Sequence, residues 1–352
     1  MQRRSRENPA VREFILRNLG EHQADITQVV TQNFGLSRVA ANGYIQRLID
    51  QGLVEATGNT RARRYNLKPL IEVDERLKLF DGLAEHHVWR FKIAPHLEGQ
   101  KPNIIAICQH GFTEMLNNAV DHSGSEDAMI CLSIDYAKIS MIIGDKGIGI
   151  FQKIQNDFKL QDAREALIEL SKGGITSNPA KHAGEGIFFT SRMFDRFSIK
   201  SGHLFYARQK VQDDDWLIET QESPQQKGTI VSMEISTDAD WTAAEVFDKH
   251  RVDNVGFRKT HVPVKIGLYP GEQLVSRSQA KRILARFDKF SEVMLDFRGV
   301  DRIGQAFADE IFRVFPLDHP KVKILAVGAN REIREMIDHV QRDVDDREPR
   351  LL

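Results

Sequence analysis

The sequence predicts a multidomain α+β protein. Three observations support this fold class: the length of 352 residues, a composition of 41% hydrophobic and 28% charged residues, and a change of pattern along the chain. Because domains usually contain roughly 100–200 residues, this length allows two or three hydrophobic cores. From the pattern changes we expect five consecutive parts, with boundaries at 1–68, 69–100, 101–237, 238–262 and 263–352.

Composition and charge narrow the class of protein further. No apolar run approaches the roughly 20 residues of a membrane span, so we expect no membrane partner. Cys108 and Cys131 lie in apolar stretches without paired spacing, which predicts reduced thiols and a cytoplasmic location. The net charge is −1, but the first 70 residues contain eleven Lys and Arg against six Asp and Glu, a surplus of five. A local surplus of this kind indicates a nucleic-acid-binding surface.

Residues 7–67 are predicted to form three helices followed by a hairpin. Pro9 suits the first turn of the first helix. Asp25 and Ser37 suit N-cap positions of the second and third helices, and Gly35 suits the end of the second. In the third helix, we expect an apolar face made of Val39, Ile45, Leu48 and Ile49.

This arrangement resembles a winged helix-turn-helix domain. In that family the second helix of the pair enters the major groove of DNA and the hairpin reaches the backbone. The resemblance implies double-stranded DNA as a partner, contacted by Arg38, Asn42, Tyr44, Arg47, Arg61, Arg63 and Arg64. The alternative is a protein-binding winged helix whose arginines are only solvated. After this domain, residues 69–100 are expected to form a helical connector.

The stretch GFTEMLNNAVDHSG, residues 111–124, places several polar groups on a helix predicted over 104–122. Glu114, Asn118 and Asp121 are spaced i, i+4 and i+7 and therefore fall on one helix face. Oxygen ligands suit a hydrated Mg²⁺ ion, and a carboxylate can activate a water molecule. A buried polar helix beside ordinary turn glycines would explain the same residues.

Three glycine-containing segments follow this helix. GDKGIGI ends a predicted strand with Asp145, and an aspartate there can accept a hydrogen bond from an exocyclic amine. Its glycines allow a base or phosphates to approach the backbone closely. Gly184 and Gly186 precede the predicted helix IFFTSRMF, whose N-terminus suits an anion. A last predicted strand begins at Gly228 and Thr229.

The four segments, in this order, resemble the GHKL family of ATPases over about residues 100–237. The resemblance implies an α/β sandwich that binds ATP and Mg²⁺. It assigns Glu114 as the general base and Asn118 as the Mg²⁺ ligand. It places Asp121 on the nucleotide side, Asp145 at the adenine amino group and Thr229 beside Asp145 through a water molecule. The further nucleotide-binding residues that it implies are Gly147, Gly149, Lys172, Lys181, Gly184 and Gly186. Two interpretations of His122 stay open, a hydrogen bond to phosphate and a helix cap.

In the last third, strands alternate with helices, and a strand is expected over 262–270. The segment VMLDFRGVDRIGQAFADEIFRVF resembles the STAS-like fold of anti-sigma-factor antagonists, and more closely the STAS-like domain often fused to GHKL modules in bacterial regulators. The resemblance implies a βαβα domain that binds a protein partner. Such antagonists carry a phosphorylatable serine after the central strand, whereas residues 302–305 contain no hydroxyl group. Ser276 and Ser278 are expected to cap a helix, with phosphorylation as the alternative.

Together these resemblances imply an ATP-binding bacterial regulator. Mg-ATP in the middle domain would control the DNA-binding winged helix and the STAS-like interaction domain, and a weak Mg-dependent ATPase activity would reset the state. The alternative is a protein kinase of the anti-sigma-factor type that phosphorylates a serine or histidine of a partner protein. A third interpretation is a scaffold that ATP merely stabilises. Because winged-helix and GHKL proteins often dimerise, a homodimer is a further expectation.

Overall fold

A computed structural model describes residues 8–59, 62–173, 185–210, 214–219, 227–250, 259–268 and 272–345. The described residues form three hydrophobic clusters, one in the first 67 residues, one in the middle of the chain and one in the C-terminal part. This number lies within the expected two or three cores. Among the described residues, no helix combines the length and the apolar character needed to cross a bilayer.

The N-terminal part, here called the head, contains three helices and a hairpin. The helices are α1 (Pro9–Asn18), α2 (Ile26–Phe34) and α3 (Arg38–Asp50), and the hairpin pairs β1 (Val54–Thr57) with β2 (Arg64–Leu67) in antiparallel fashion. Ser37 caps α3 by accepting a hydrogen bond from the backbone N–H of Ala40. Gly35 ends α2 with a left-handed φ of 63°, a conformation that glycine adopts without strain.

The expected apolar face of α3 is only partly correct. Ile45 and Leu48 are buried in the head, where they pack with residues of α1 such as Ile15. Val39 is 83% exposed, so it lies on the opposite side of α3 from this core. A helix turns 100° per residue, which places Val39 far from the stripe that Ile45 and Leu48 define.

A seven-stranded antiparallel sheet forms the middle of the molecule. Its strands are β3 (Ile71–Lys78), β4 (Asp127–Ile134), β5 (Lys138–Asp145), β6 (Arg196–Ser201), β7 (Leu204–Gln209), β8 (Asp214–Glu219) and β9 (Thr229–Ser236). The order across the sheet is β3-β4-β5-β9-β6-β7-β8. Buried residues alternate along the central strands, as in Ile139, Met141 and Ile143 of β5. One face of the sheet therefore carries the core.

The expected helical connector over 69–100 is wrong in its first half. Residues 71–78 form the edge strand β3, which pairs with β4 along its whole length. Exposed and half-buried residues alternate in β3, and this period of two is the pattern of a strand. Helical turns follow at α4 (Glu85–Val88), Trp89–Ile93 and Ala94–Leu97.

Helices cover the buried face of the sheet. They are α5 (Pro102–His122), α6 (Ile150–Phe158), α7 (Glu165–Lys172), α8 (Gly186–Met193) and α9 (Ala243–His250). The helix α9 lies in the segment 238–262 that was expected to be a connector, and its Val246 is buried in the middle core. Gly111 allows α5 to approach the sheet closely, since a Cβ atom there would lie 2.5 Å from the Phe194 ring.

The C-terminal part is a three-stranded parallel sheet with helices. The strands β10 (Lys259–Pro263), β11 (Glu292–Asp296) and β12 (Lys323–Val327) lie side by side in that order. The helices are α10 (Arg277–Leu284), α11 (Gln305–Asp309), α12 (Phe315–Asp318) and α13 (Arg331–Asp345). The strand expected over 262–270 begins earlier and ends at Pro263, because a 3₁₀ turn occupies Val264–Gly267.

Partly buried polar contacts join the head to the middle sheet. The Tyr136 hydroxyl, between β4 and β5, donates a 2.5 Å hydrogen bond to Glu13 of α1. Arg17, also in α1, donates to the Thr237 hydroxyl at 2.8 Å and forms an ion pair with Asp238 at 2.7 Å. The head therefore contacts one end of the β5–β9 pair, where Lys138 pairs with Ser236.

Candidate functional site

A cavity of about 530 Å³ lies between α5 and the helix-covered face of the sheet. Such a volume falls within the range of small-molecule sites. Residues from α5, β5, α6, α8, α9 and β9 line it. Its polar lining includes His110, Glu114, Asn117, Asn118, His122, Asp145, Lys153, Glu185 and Thr229.

The wall formed by α5 carries the polar face predicted from the sequence. Glu114 and Asn118 both line the cavity, one helical turn apart. Asn117 lines it as well, so the doubled asparagine contributes both amides. Within the part of the chain that the structure describes, neither asparagine side chain forms a hydrogen bond to the protein. The two half-buried amides therefore remain available to a ligand.

Asp121 lies outside this constellation. It is exposed, and it is absent from the residues that line the cavity. The expectation that Asp121 faces the nucleotide side is therefore not supported by the position of its side chain. His122 lines the cavity instead. The end of α5 is held by Ser123, whose hydroxyl donates to the carbonyl of Ala119 at 2.5 Å.

Asp145 occupies the end of β5 and faces the cavity. Its carboxylate accepts hydrogen bonds from the backbone N–H groups of Gly147, at 2.8 Å, and Thr229. Burial raises the pKa of Asp145 above its usual value, and the two backbone bonds oppose this shift. The Thr229 hydroxyl accepts a bond from the N–H of Ile150 at 2.9 Å, which fixes β9 against the start of α6.

The predicted glycines have different roles. Gly149 and Gly186 line the cavity, and Gly149 has a φ of 88° that favours glycine. A Cβ atom on Gly186 would lie 2.1 Å from Glu114 Oε2, so the first turn of α8 rests directly on this carboxylate. Gly147 packs elsewhere, because a Cβ atom there would lie 1.9 Å from the carbonyl oxygen of Ser123. Gly147 is thus needed for packing and does not line the cavity.

Lys172 is corrected as a candidate phosphate ligand. Its side chain is 1% exposed, and its amino group donates to Glu169 at 2.6 Å and to the carbonyl of Ala285 at 2.7 Å. Arg286 forms a second ion pair with Glu169 at 2.7 Å. Burial lowers the pKa of Lys172, and Glu169 opposes this shift. Lys172 therefore joins α7 to the C-terminal part. Lys181, Gly184 and Arg61 lie outside the described residues.

Two residues of the cavity lining were missed from the sequence. His110 lies one turn before Glu114 on α5, and its ring contacts Phe247 of α9 edge to face. Within the described ranges its Nε2 atom is buried without a hydrogen-bond partner, and burial lowers the pKa of the ring. Lys153 supplies a cation from α6, where it is paired with Asp157 at 2.7 Å. His110 could have been predicted from its spacing, because it lies one helical turn before Glu114 on the same face of α5.

The polar groups of the cavity fit a magnesium-bound polyanion. Asn118 offers an amide oxygen, and magnesium is usually held by one or two protein oxygens together with substrate phosphates. Lys153 and the N-terminus of α8 offer positive charge and N–H groups to phosphate oxygens. Over the described residues, no cluster of three or more His, Cys, Asp or Glu side chains is arranged to hold a metal ion.

The candidate DNA contacts of the head do not all face outward. Arg38 and Asn42 are exposed on α3, and Arg63 and Arg64 are exposed at the hairpin. The Tyr44 hydroxyl instead accepts a hydrogen bond from the backbone N–H of Asn8 at 2.9 Å.

Arg47 accompanies Tyr44, because its guanidinium lies 4.4 Å from the centre of the Tyr44 ring. Both side chains are half-buried and serve the packing of the head. The expectation that Tyr44 and Arg47 face DNA is therefore not supported by their positions.

Of the two serines expected to cap a helix, Ser276 caps α10, whereas Ser278 lies inside its first turn. The Ser276 hydroxyl accepts a bond from the backbone N–H of Gln279, and the Gln279 side chain accepts one from the N–H of Ser276. This reciprocal pair is a capping box. Ser278 is exposed beside it.

Comparison with known families identifies the C-terminal part. Residues 279–334 match the family model of a STAS-like domain of unknown function (DUF4325). The match extends from α10 to the start of α13 and includes β11 and β12. This part of the chain is therefore a STAS-like domain, as its sequence pattern predicted. A comparison with curated proteins finds no match to the chain.

Proposed function

We propose that the cavity binds ATP with Mg²⁺ and that the protein is an ATP-dependent regulator of the GHKL type. This proposal rests on the polar residues that line one cavity. It combines the half-buried acceptor Asp145 with Glu114 and with the amides of Asn117 and Asn118, which have no protein partner among the described residues. Half-buried amides are costly unless a ligand or water bonds them.

Asp145 supplies the selectivity for adenine. A carboxylate has about four lone-pair positions, and the N–H groups of Gly147 and Thr229 occupy two of them. The remaining positions can accept a hydrogen bond from the exocyclic amine of adenine. Guanine presents a carbonyl oxygen at the equivalent place, which the carboxylate repels. Ile143, Ile150 and Val231 line the same cavity and suit the faces of a flat base.

Glu114 is the proposed general base of a slow hydrolysis. Its carboxylate takes a proton from a water molecule as the water oxygen bonds to the γ-phosphorus and the bond to the ADP oxygen breaks. ADP leaves with the electron pair of that bond, and Glu114 releases the proton to solvent. When Mg²⁺ is bound, it would neutralise part of the negative charge of the phosphates.

Contacts on both sides of the middle domain support a regulatory role. Leu170 of α7 lines the cavity, while Glu169 and Lys172 of the same helix bond the STAS-like domain. A ligand that favours one position of α7 would thereby change the equilibrium of the neighbouring domain. Tyr136 and Arg17 provide the corresponding contacts with the head.

The head is proposed to bind double-stranded DNA in the manner of a winged helix. Arg63 and Arg64 are exposed at the hairpin, where they can reach the phosphate backbone. We expect Arg63→Ala with Arg64→Ala to weaken binding to all duplexes and to reduce the salt dependence by about two phosphate contacts. Fluorescence anisotropy at several salt concentrations measures both quantities. Failure of the unchanged protein to bind any duplex at low salt would remove this proposal.

Titration calorimetry tests the nucleotide proposal directly. We expect the full chain to bind ATP in the presence of Mg²⁺ and to bind GTP at least about tenfold more weakly, which corresponds to about 1.4 kcal/mol. Equal affinity for the two nucleotides would contradict the role of Asp145. No uptake of either nucleotide would contradict the proposed function as a whole.

A further inference from the structure

The outward face of α3 contains one large apolar side chain among polar ones. Val39 is 83% exposed, and Arg38, Asn42 and Gln46 are exposed on the same side of the helix. We call these four residues the reading stripe. An exposed valine in the first turn of a helix contributes nothing to the core of the head, and its branched side chain lowers helix propensity.

Asn42 has a defined orientation within the reading stripe. The hydroxyl of Thr27 in α2 donates a 3.0 Å hydrogen bond to the Asn42 side-chain oxygen. This bond turns the amide so that its two N–H donors are available to a partner. Val39 therefore presents methyl groups, and Asn42, one turn later, presents hydrogen-bond donors.

The charge around the reading stripe favours nucleic acid as its occupant. Arg38 adjoins Val39, and Arg63 and Arg64 are exposed on the hairpin of the same head. The major groove of DNA offers the complementary groups: the 5-methyl group of thymine and the acceptor atoms N7 and O6 of purines.

We propose that Val39 and Asn42 determine sequence specificity in the head. Val39 packs on the 5-methyl group of a thymine, and Asn42 donates to a purine acceptor at a neighbouring position. This inference rests on the proposed binding of DNA by the head. Beyond DNA binding, Val39 would select a thymine through its 5-methyl group, and Asn42 would select a neighbouring purine.

Replacement of thymine by deoxyuridine tests the contact, because it removes the 5-methyl group and keeps base pairing. Duplexes are first selected from a randomised pool with the full-length protein, and each thymine of the selected site is then replaced in turn. We expect one replacement to weaken binding about fourfold, the factor that burial of one methyl group gives. Val39→Ala should bind the thymine duplex more weakly and should lose this sensitivity.

Val275→Ala is the matched control, since Val275 is 50% exposed in the C-terminal part of the chain, away from the head. It should retain the wild-type response to deoxyuridine. Binding of duplex DNA with no effect of any replacement, or with the same effect in Val39→Ala, would overturn this inference and leave DNA binding intact. No duplex binding by the unchanged protein at low salt would instead overturn the proposed DNA binding, and this inference with it.

Discussion

Two sets of polar side chains, one buried and one half-buried, lie on two helices of the middle domain, and they differ in their hydrogen-bond partners. On α7, Glu169 and Lys172 are almost fully buried and bond each other, Arg286 and a backbone carbonyl. On α5, Asn117 and Asn118 face an open cavity, and no hydrogen bond from the described protein reaches their side chains. The first set is complete within the chain, whereas the second set is left open to solvent or a ligand.

This difference separates structural from functional polar groups. A buried ion pair that is complete stabilises one arrangement of two domains, and removal of one partner leaves an uncompensated charge. Polar groups around a cavity contribute little to folding and can be satisfied by an incoming molecule. Changes in the α7 set should therefore reduce stability, whereas changes in the α5 set should reduce binding or catalysis.

The largest expected effect is on stability, from Lys172→Ala. The substitution removes the amino group that bonds Glu169 and Ala285, and we expect a loss of about 3–5 kcal/mol in the free energy of unfolding. Denaturant titration measures it. Lys281→Ala is the control, because this lysine is exposed and its contact with Glu310 at 3.8 Å should contribute less than about 1 kcal/mol. Similar losses in both variants would refute the distinction.

The second-largest effect is expected on catalysis, in the variant Glu114→Gln. The amide cannot accept the proton of the attacking water, so we expect phosphate release to fall at least about 100-fold, with ATP still bound. A phosphate-release assay beside calorimetry separates the two quantities. The exposed Glu126→Gln should behave as the unchanged protein. Radiolabel transferred from the γ-phosphate to protein, in place of free phosphate, would favour the protein-kinase alternative.

A smaller effect is expected in the pH dependence of stability, from His110. Burial lowers the pKa of this histidine in the folded protein. As the pH falls below about 6.5, the unfolded chain therefore binds a proton that the folded chain does not, and stability decreases by at most about 1.4 kcal/mol per pH unit. At higher pH the imidazole is neutral in both states and this dependence disappears.

His110→Phe should remove this part of the pH dependence. Denaturant titrations between about pH 5 and 8 compare the variant with the unchanged protein and with His87→Phe, a substitution at an exposed position. An unaltered slope in His110→Phe would show that the ring does not stay neutral inside the cavity wall.

Local patterns were sufficient to predict much of the fold. The helical spacing in α5, the caps at Ser37 and Ser276 and the strand–helix alternation of the STAS-like domain all depend on nearby residues. The strand β3 was missed, because a charged alternating segment pairs as a strand only when β4 lies beside it. Pairing with β4 therefore determines that residues 71–78 form a strand.

For the candidate site residues, too, nearby residues gave a usable pattern and distant contacts did not. Glu114 and Asn118 share the cavity because they are one turn apart on a single helix. Lys172 was misassigned because one of its partners, the carbonyl of Ala285, lies 113 residues away in the chain. Tyr44 was misassigned because its hydroxyl is bonded to the start of α1. Distant contacts of this kind leave no periodic signal in the sequence.

Calorimetric titration of Asp145→Asn with Mg-ATP tests whether the Asp145 carboxylate binds adenine. The N–H groups of Gly147 and Thr229 would hold the amide oxygen, which leaves the amide donors facing the donor group of adenine. We predict an affinity about 100-fold below that of the unchanged protein, or about 2.7 kcal/mol. Asp81→Asn, at an exposed position after β3, should bind as the unchanged protein. Equal affinity for Mg-ATP in Asp145→Asn and the unchanged protein would show that Asp145 does not bind the adenine base.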